Sequence, residues 1–184
     1  MNPKTRKIVI AGSMGAISVI LGATRLGFIP WFAGVSLTIM HVPVIIGAVL
    51  EGPVVGLVTG FIFGLFSLIQ AAIAPTGPAD VWFVNPLVSI FPRLWIGVIA
   101  WLVYRPLSNL SRHFAAAAAG ISGSLTNTIL VLSILGLLKK LPWNTILIIA
   151  GVNGLPESGV AAVIVTAVVS VFFGIERKKG GPKI

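Results

Sequence analysis

The sequence contains no cysteine, so structural disulfides and thiolate metal sites are both excluded. It has only two histidines, far apart in the chain, which provide no histidine cluster for a metal ion. It has no phosphate-binding Gly-x-x-x-x-Gly-Lys-[Ser/Thr] segment, so we expect that this chain does not hydrolyse ATP itself. A Ser/His/Asp triad is implausible because the one aspartate, Asp80, lies in a predicted loop. We therefore expect a protein that is not an enzyme and has no cofactor of its own.

Charged residues are also scarce in this sequence. Only 9% of the 184 residues are charged, whereas 57% are hydrophobic. A soluble domain carries about a quarter charged residues, so this composition indicates an integral membrane protein with lipid around it. The net charge of +9 does not indicate a nucleic-acid partner, because the 13 lysines and arginines stand almost entirely at the ends of apolar stretches.

The apolar stretches predict six transmembrane helices. A bilayer core of about 30 Å requires about 20 residues per helix, so a chain of 184 residues holds one bundle and no second domain. The predicted spans lie near residues 8–27, 37–50, 53–74, 86–104, 114–138 and 146–174. Glu51-Gly52-Pro53 predicts a tight turn between the second and third spans. The expected fold is an all-α membrane protein, a single bundle of six transmembrane helices over residues 1–184.

The distribution of cations predicts how the bundle is oriented. With the N-terminus inside, nine lysines and arginines fall at the inner ends of spans, three fall at the outer ends, and Arg93 lies within a span. The inner set is Lys4, Arg6, Lys7, Arg105, Arg112, Arg177, Lys178, Lys179 and Lys183, and the outer set is Arg25, Lys139 and Lys140. Cations near span ends are retained on the cytoplasmic side, so this bias and an even number of spans place both termini in the cytoplasm.

The last apolar segment is unusual in its length and composition. Residues 145–174 are too many for one upright span, and Asn153-Gly154-Leu155-Pro156 interrupts them. Proline lacks a backbone donor and glycine weakens a helix, so one interpretation is a broken helix that lines a cavity, as in many transporters. The alternative is a plain loop, with the last span beginning at Pro156 and residues 145–152 lying against the outer surface. The sequence leaves both interpretations open.

Small residues at four-residue spacing mark two predicted helix faces. Gly56, Gly60 and Gly64 follow this spacing on the third span, and we expect them to pack inside the bundle because smooth faces let helices approach closely in lipid. On the first span the same spacing occurs in two offset pairs, Ala11 with Gly15 and Gly12 with Ala16. For the first span, packing inside the bundle and contact with another subunit both remain open.

Several polar side chains lie within the apolar spans, where a charge at the bilayer centre costs at least about 3 kcal/mol. They are His41, Gln70, Asn85, Arg93, Asn127, Asn153 and Glu157. At a rise of 1.5 Å per residue, Arg93, Asn127 and Glu157 all fall about 10 Å below the outer face. One interpretation is an internal Arg93–Glu157 salt bridge to which Asn127 adds a hydrogen bond. The other is a pocket open to the outside, in which Arg93 faces an anionic group of a ligand.

Aromatic residues near this layer are candidates for the apolar wall of such a pocket. The candidates are Trp82, Phe83 and Trp95. Trp82 also suits the membrane interface, as do Trp31 and Trp143, and we interpret the latter two as interfacial residues. His41 is either a donor in the pocket or a polar group satisfied near the interface, and the sequence does not distinguish these roles.

A series of short segments, in this order and spacing, carries a resemblance to one transporter family over nearly the whole chain. They are Leu26-Gly27-Phe28-Ile29-Pro30, Thr38-Ile39-Met40-His41-Val42-Pro43-Val44-Ile45-Ile46-Gly47-Ala48, Glu51-Gly52-Pro53, Asn85-Pro86-Leu87-Val88-Ser89, Pro92-Arg93, Thr126-Asn127-Thr128 and Asn153-Gly154-Leu155-Pro156-Glu157. Together they resemble the substrate-binding S-components of energy-coupling factor (ECF) vitamin transporters, and most of all the pantothenate-type branch. The resemblance implies a six-helix bundle in a bacterial plasma membrane. It also implies vitamin binding on the extracellular side, under the loop that joins the first two spans.

The resemblance also implies protein partners. An energy-coupling transmembrane subunit would bind this chain, and two cytoplasmic ATPase subunits would use ATP to drive transport. In the family an Ala-xxx-Ala stripe on the first helix contacts the coupling subunit, which here matches Ala11 and Gly15, or Gly12 and Ala16 in the offset register. The loaded S-component is expected to topple within the membrane and carry its pocket to the cytoplasmic side.

Pantothenate suits the candidate pocket by its chemistry. Its carboxylate would face Arg93, and its hydroxyls and amide would face amides and the carboxylate of Glu157. The full set of candidate substrate-binding residues is Arg93, Asn127, Asn153, Glu157, Asn85, His41, Trp82 and Trp95. One alternative is an S-component for another vitamin, such as folate or a pyrimidine precursor of thiamine, whose flat ring would stack on tryptophan. Further alternatives are a self-sufficient carrier or channel and an assembly subunit without a ligand.

Overall fold

The computed structural model describes residues 2–30, 36–75 and 79–178, and within them it places eight α-helices and two short strands. The α-helices are α1 (Pro3–Ala23), α2 (Val42–Glu51), α3 (Pro53–Ile73), α4 (Pro86–Ser89), α5 (Phe91–Leu107), α6 (Arg112–Leu137), α7 (Trp143–Ile149) and α8 (Leu155–Lys178). The strands are β1 (Phe28–Pro30) and β2 (Ser36–Thr38), a 3-10 helix covers Asp80–Val84, and a π-helical segment covers Ala150–Gly154. Trp31, Lys179 and Lys183 lie outside the described residues.

Local sequence signals explain where several of these helices begin. Proline occupies one of the first two positions of α1, α2, α3, α4 and α5, where its missing N–H would have no helical partner. The side chains of Asn2 and Ser111 accept hydrogen bonds from free N–H groups at the starts of α1 and α6. Gly52 adopts a φ of 97° between α2 and α3, a conformation that glycine tolerates without strain, and the predicted tight turn is confirmed.

Five helical segments are long and apolar enough to cross a membrane. They are Pro3–Ala23, Pro53–Ile73, Pro86–Leu107, Arg112–Leu137 and Trp143–Gly174. Each corresponds to one of the six predicted spans, with ends that differ by a few residues. The structure therefore confirms the mainly helical membrane fold and accounts for five of the spans by length and composition.

The second predicted span, residues 37–50, does not form one helix. The helix in this region, α2, has 10 residues and is about 15 Å long, half the thickness of a bilayer core. All of its residues from Val42 to Val49 are buried, because α2 is surrounded by α1, α3, α5, α6 and α8. Because neighbouring helices bury α2 on every side, it is a core helix and not a lipid-facing span.

The chain between α1 and α2 forms a hairpin that enters the bundle. Strands β1 and β2 pair antiparallel, with Phe28 opposite Thr38. The side chain of Leu37 is buried, and the Ser18 hydroxyl of α1 donates a hydrogen bond of 3.1 Å to the carbonyl oxygen of Met40. Ser18 lies about 8 Å along the axis from the last residue of α1. The chain after β2 therefore lies well below the end of α1, among the helices.

The last apolar segment is helical from Trp143 to Lys178. Its irregular part, Ala150–Gly154, widens into a π-helical segment instead of unwinding. A π-helical turn accommodates one extra residue per turn, and this one ends two residues before Pro156, which has no backbone N–H to donate. The loop interpretation of residues 145–152 is therefore wrong, and the interruption is a wide turn within one long helical segment.

Close glycine contacts hold α3 against α5. Gly56 meets the backbone of Gly97, and a side chain added at Gly60 would collide with the carbonyl oxygen of Arg93. Gly64 is buried one turn further along, against Ser89 and Ile90, which precede α5. The prediction that these three glycines pack inside the bundle is confirmed, and the contacts set the position of the Arg93 backbone.

The two ends of the bundle differ in which elements close them. At one end, which we call the termini end, Arg6 of α1 forms an ion pair with Glu51 of α2, with 2.5 Å between Nε and Oε1. The Arg6 guanidinium also lies 5.8 Å from the ring centroid of Phe172, near the end of α8. The β1–β2 hairpin, the 3-10 helix and the π-helical segment stand at the opposite end, which we call the pocket end.

Candidate ligand-binding site

A cavity of about 270 Å³ lies at the pocket end of the bundle. Its walls come from the hairpin, α3, the 3-10 helix, α5, α6, α7, the π-helical segment and α8. The lining residues are Phe28, Thr38, Met40, Phe63, Ser67, Gln70, Ala71, Asp80, Phe83, Arg93, Asn127, Thr128, Val131, Leu132, Ile149, Asn153 and Glu157. Four of the predicted binding residues, Arg93, Asn127, Asn153 and Glu157, are among them. Their role in binding stays a prediction, but the structure brings all four to one cavity.

Arg93 is the cation of this cavity, and it is held from several sides. Its side chain is only 5% exposed, and its Nη1 donates a hydrogen bond to the carbonyl oxygen of Val88. The guanidinium lies 5.4 Å from the ring centroid of Phe63 and 5.1 Å from that of Phe83, so both aromatic faces stabilise its charge. Its Nε has no hydrogen-bond partner among the described residues. The group is therefore positioned, with donor capacity left for an anion.

Glu157 is the buried carboxylate on the opposite wall. Its side chain is 7% exposed, and Oε1 accepts a hydrogen bond of 2.7 Å from the backbone N–H of Thr38 in β2. This contact joins the hairpin to α8 directly beside the cavity. A carboxylate has about four lone-pair positions, so one backbone donor leaves capacity for further donors.

Two asparagines line the same cavity. Asn127 of α6 is buried, and Asn153 belongs to the π-helical segment. The side-chain oxygens of both have no hydrogen-bond partner among the described residues. Buried amide oxygens normally have partners, so these two are candidates for contact with a bound molecule or with water.

The charges of Arg93 and Glu157 do not neutralise each other. Within the described residues the structure contains no ion pair between them, although both side chains line the same cavity. The reason lies in the helix arrangement, because α6 packs against both α5, which carries Arg93, and α8, which carries Glu157. The interpretation of an internal Arg93–Glu157 salt bridge is therefore wrong for this structure.

Three other predicted binding residues lie elsewhere. Asn85 caps the start of α4, where its side-chain oxygen accepts a hydrogen bond of 3.0 Å from the N–H of Leu87, as asparagine commonly does at helix starts. Trp82 packs against a buried cluster of Val88, Val131 and Leu135, and the next residue of the 3-10 helix, Phe83, lines the cavity instead. Trp95 is 43% exposed because it follows Arg93 by two residues, which turns it about 200° around α5.

His41 is also absent from the cavity wall. It precedes α2, is fully buried, and neither ring nitrogen has a hydrogen-bond partner among the described residues. His41 is therefore not a donor in the pocket in this structure. It is also not a hydrogen-bonded polar group near the interface, which was the alternative role. Its neighbour Met40 takes the place on the wall.

Several cavity residues were not predicted. Phe63, Ser67 and Gln70 share one face of α3, and their spacing of four and three residues is a helical signal that was available in the sequence. Phe28, Thr38 and Met40 reach the cavity only because the hairpin enters the bundle. No local sequence pattern predicts that arrangement.

The two small-residue pairs of α1 face in different directions. Ala11 and Gly15 are buried, and Gly15 packs against the side chain of Ile62 in α3. Gly12 and Ala16 are exposed, and a side chain added at Gly12 would meet no atom within 4 Å. The Ala11/Gly15 register is therefore used inside the bundle, and the Gly12/Ala16 register forms an outer face.

The arrangement suits binding better than catalysis. A cation stands on one wall, a carboxylate on the other, and amides and hydroxyls lie between aromatic and aliphatic side chains. The described residues contain no group of three His, Cys, Asp or Glu side chains that could hold a metal ion. These walls fit a small anionic molecule that carries hydrogen-bonding groups away from its charge.

Comparison with known proteins gives a consistent result. The family model described as "ECF transporter, substrate-specific component" matches residues 6–169. The "Pantothenic acid transporter PanT" of Lactococcus lactis subsp. cremoris is 29% identical over 158 residues, which cover 76% of this chain and 79% of that protein. The "Pantothenate transporter PanT" of Leuconostoc mesenteroides subsp. mesenteroides is 32% identical over 129 residues, which cover 67% of this chain and 63% of that protein.

Proposed function

Because the chain belongs to the family of substrate-specific components of ECF transporters, we propose that it is the membrane subunit that binds pantothenate for import. The two relatives described above are named as transporters of pantothenic acid or pantothenate, and each matches over most of this chain. The observation that carries the proposal is Arg93, a buried guanidinium on a cavity wall whose Nε has no partner among the described residues.

The polar groups of the cavity match those of pantothenate in kind. The carboxylate of the vitamin would meet Arg93 between the rings of Phe63 and Phe83. Its amide would meet Asn127 or Asn153, whose side-chain oxygens accept hydrogen bonds. Its hydroxyls would donate to Glu157, and its methyl groups would contact apolar residues of the wall.

The size and lining of the cavity argue against the other vitamins. At about 270 Å³ the cavity lies just below the range of roughly 300–1,000 Å³ common for drug-sized ligands, which disfavours folate with its two ring systems and glutamate tail. A pyrimidine precursor of thiamine would favour stacking on tryptophan, yet neither Trp82 nor Trp95 lines the cavity. Phe63 and Phe83 are engaged with the guanidinium of Arg93.

We extend the proposal to the orientation of the chain in a bacterial plasma membrane. The termini end would be cytoplasmic, as the excess of nine inner over three outer cations supports, and the pocket end would face outside. The hairpin and α2 together would make the remaining crossing. The ligand would then enter from outside, beneath the β1–β2 hairpin.

Transport would require further subunits. We propose that an energy-coupling transmembrane subunit and two ATPases supply the coupling to ATP hydrolysis, and that this chain topples in the membrane to deliver its ligand. Gly12 and Ala16 would form the contact with the coupling subunit, because they are exposed on α1 whereas Ala11 and Gly15 are buried. A self-sufficient carrier would instead take up pantothenate in liposomes that contain this chain alone.

The experiment is equilibrium binding of radiolabelled pantothenate to the purified chain in lipid nanodiscs. Arg93→Gln should weaken binding about a hundredfold or more, because it removes the charge partner of a buried carboxylate. The matched control is Arg105→Gln, at an exposed arginine of the same helix whose guanidinium lies 5.0 Å from the ring of Trp101. Wild-type affinity in a folded Arg93→Gln protein would remove Arg93 from the site, and no binding by the unmodified protein would overturn the proposed ligand.

A further inference from the structure

The charged residues that line the cavity in the described part of the chain are one cation, Arg93, and two carboxylates, Asp80 and Glu157. Arg93 is the only cation among the described residues that line the cavity, and it lies on α5. Glu157 lies on α8, and of the other cavity residues Asn153 precedes it by four positions and Thr38 donates a hydrogen bond to it. The Glu157 wall therefore offers hydrogen-bond acceptors and no positive charge.

The position of Glu157 is constrained rather than loose. The Thr38 N–H holds Oε1 at 2.7 Å, and the side chain is 7% exposed, so the carboxylate has little freedom to withdraw from an approaching group. In a site of low polarity a carboxylate accepts hydrogen bonds from hydroxyl groups strongly. The same carboxylate repels a second anionic group, because little water is present to screen the two charges.

These observations lead to a prediction about specificity that rests on the proposed function. We propose that Glu157 is a specificity-determining residue, which admits a ligand with a free hydroxyl at this wall and rejects the same ligand when that hydroxyl carries a phosphate. A ligand with one anionic group satisfies Arg93 and places its neutral end at Glu157. A phosphate monoester adds a strongly charged group where the described cavity residues provide no cation.

The test compares two ligands in one assay. The dissociation constants of pantothenate and of its phosphate monoester at the terminal hydroxyl are measured with the purified full chain in nanodiscs. We expect the unmodified protein to bind the monoester about a hundredfold more weakly than pantothenate, since like charges repel strongly at close range. Glu157→Gln keeps the shape and the acceptor for Thr38, and it should reduce this ratio by about tenfold or more.

Two further variants distinguish an effect specific to Glu157 from a general effect of negative charge in the cavity. Asp80→Asn removes a carboxylate elsewhere on the wall, and it should leave the ratio of the two dissociation constants within about threefold. Asn153→Asp adds a carboxylate one helical turn before Glu157, and it should raise the ratio of the two dissociation constants. This variant tests the inference even if the Glu157→Gln protein does not fold.

The outcomes distinguish this inference from the proposed function. If the unmodified protein binds neither ligand, the proposed function fails. If it binds both ligands equally, or if Glu157→Gln or Asn153→Asp leaves the ratio unchanged, the specificity role of Glu157 is overturned while pantothenate binding stands. An equal effect of Asp80→Asn and Glu157→Gln would also overturn it, because the discrimination would then not depend on Glu157.

Discussion

Charged side chains are arranged differently at the termini end and at the pocket end of this bundle. At the termini end Arg6 and Glu51 form an ion pair, and α2 fills the centre with apolar side chains. At the pocket end Arg93 and Glu157 lie on different walls of a cavity without pairing. The charges at the termini end are satisfied by each other, whereas unpaired buried charges that face a cavity indicate a site for a ligand.

A contrast in packing accompanies the contrast in charge. The glycine contacts between α3 and α5 bring the two backbones together at Gly56 and Gly97, and they continue to Gly60 beside the Arg93 carbonyl. One turn further along, Gly64 packs closely against Ser89 and Ile90, which precede α5. The close-packed glycines therefore fix the position of the Arg93 backbone. Substitutions at these glycines and substitutions that only line the cavity are expected to have different effects.

The largest effect is expected where the close-packed region meets the site. Gly60→Val would force a side chain against the carbonyl oxygen of Arg93, so α5 must move. We expect a loss of about 3 kcal/mol of stability and weaker pantothenate binding, measured by thermal unfolding and by equilibrium binding in micelles. The matched control is Gly159→Val, because a side chain at Gly159 would meet no atom within 4 Å. Equal destabilisation by both variants would contradict the close-packing account.

A second prediction concerns the outer face of α1. Gly12→Leu should leave pantothenate binding unchanged but lower pantothenate uptake about tenfold in membranes that contain the coupling module. The reason is that a leucine side chain would prevent close contact between this face and the coupling subunit. Gly159→Leu, at an open glycine of α8, is the control and should keep normal uptake. Normal uptake by the Gly12→Leu protein would remove this face from the docking surface.

The smallest effect is expected at the termini end. The Arg6 side chain is 38% exposed, so its ion pair with Glu51 is screened, and Glu51→Gln should cost less than about 1 kcal/mol. We therefore expect the unfolding temperature to fall by a few degrees, about 2–4 °C per kcal/mol, with no change in pantothenate affinity. A marked loss of affinity in this variant would mean that the two ends of the bundle are coupled, which contradicts their independence.

Much of the fold followed from local patterns in the sequence. Apolar runs bounded by proline and glycine located five spanning helices, and the four-residue spacing of Gly56, Gly60 and Gly64 correctly predicted a packed face. The extent of α2 was not predictable in this way, because a buried core helix and a lipid-facing span are both apolar on every side. Only the tertiary arrangement around α2 distinguishes them.

The candidate site was predictable in part for physical reasons. Polar residues are costly in lipid, so Arg93, Asn127, Asn153 and Glu157 stood out from the apolar sequence, and helical rise placed three of them at one depth. The depth of Trp95 did not predict its position, because its angle around α5 directs it away from the cavity. Thr38 and Met40 depend on a hairpin that folds into the bundle, a long-range arrangement that no local pattern encodes.

The most direct test of the account pairs a change in the ligand with a change in the protein. Binding of pantothenate is compared with binding of its alcohol analogue, in which CH₂OH replaces the carboxylate, for the unmodified protein and for Arg93→Gln. If Arg93 holds the carboxylate, the replacement should weaken binding about a hundredfold in the unmodified protein and only a few-fold in Arg93→Gln. The same loss in both proteins would contradict the account, because the carboxylate would then be recognised without Arg93.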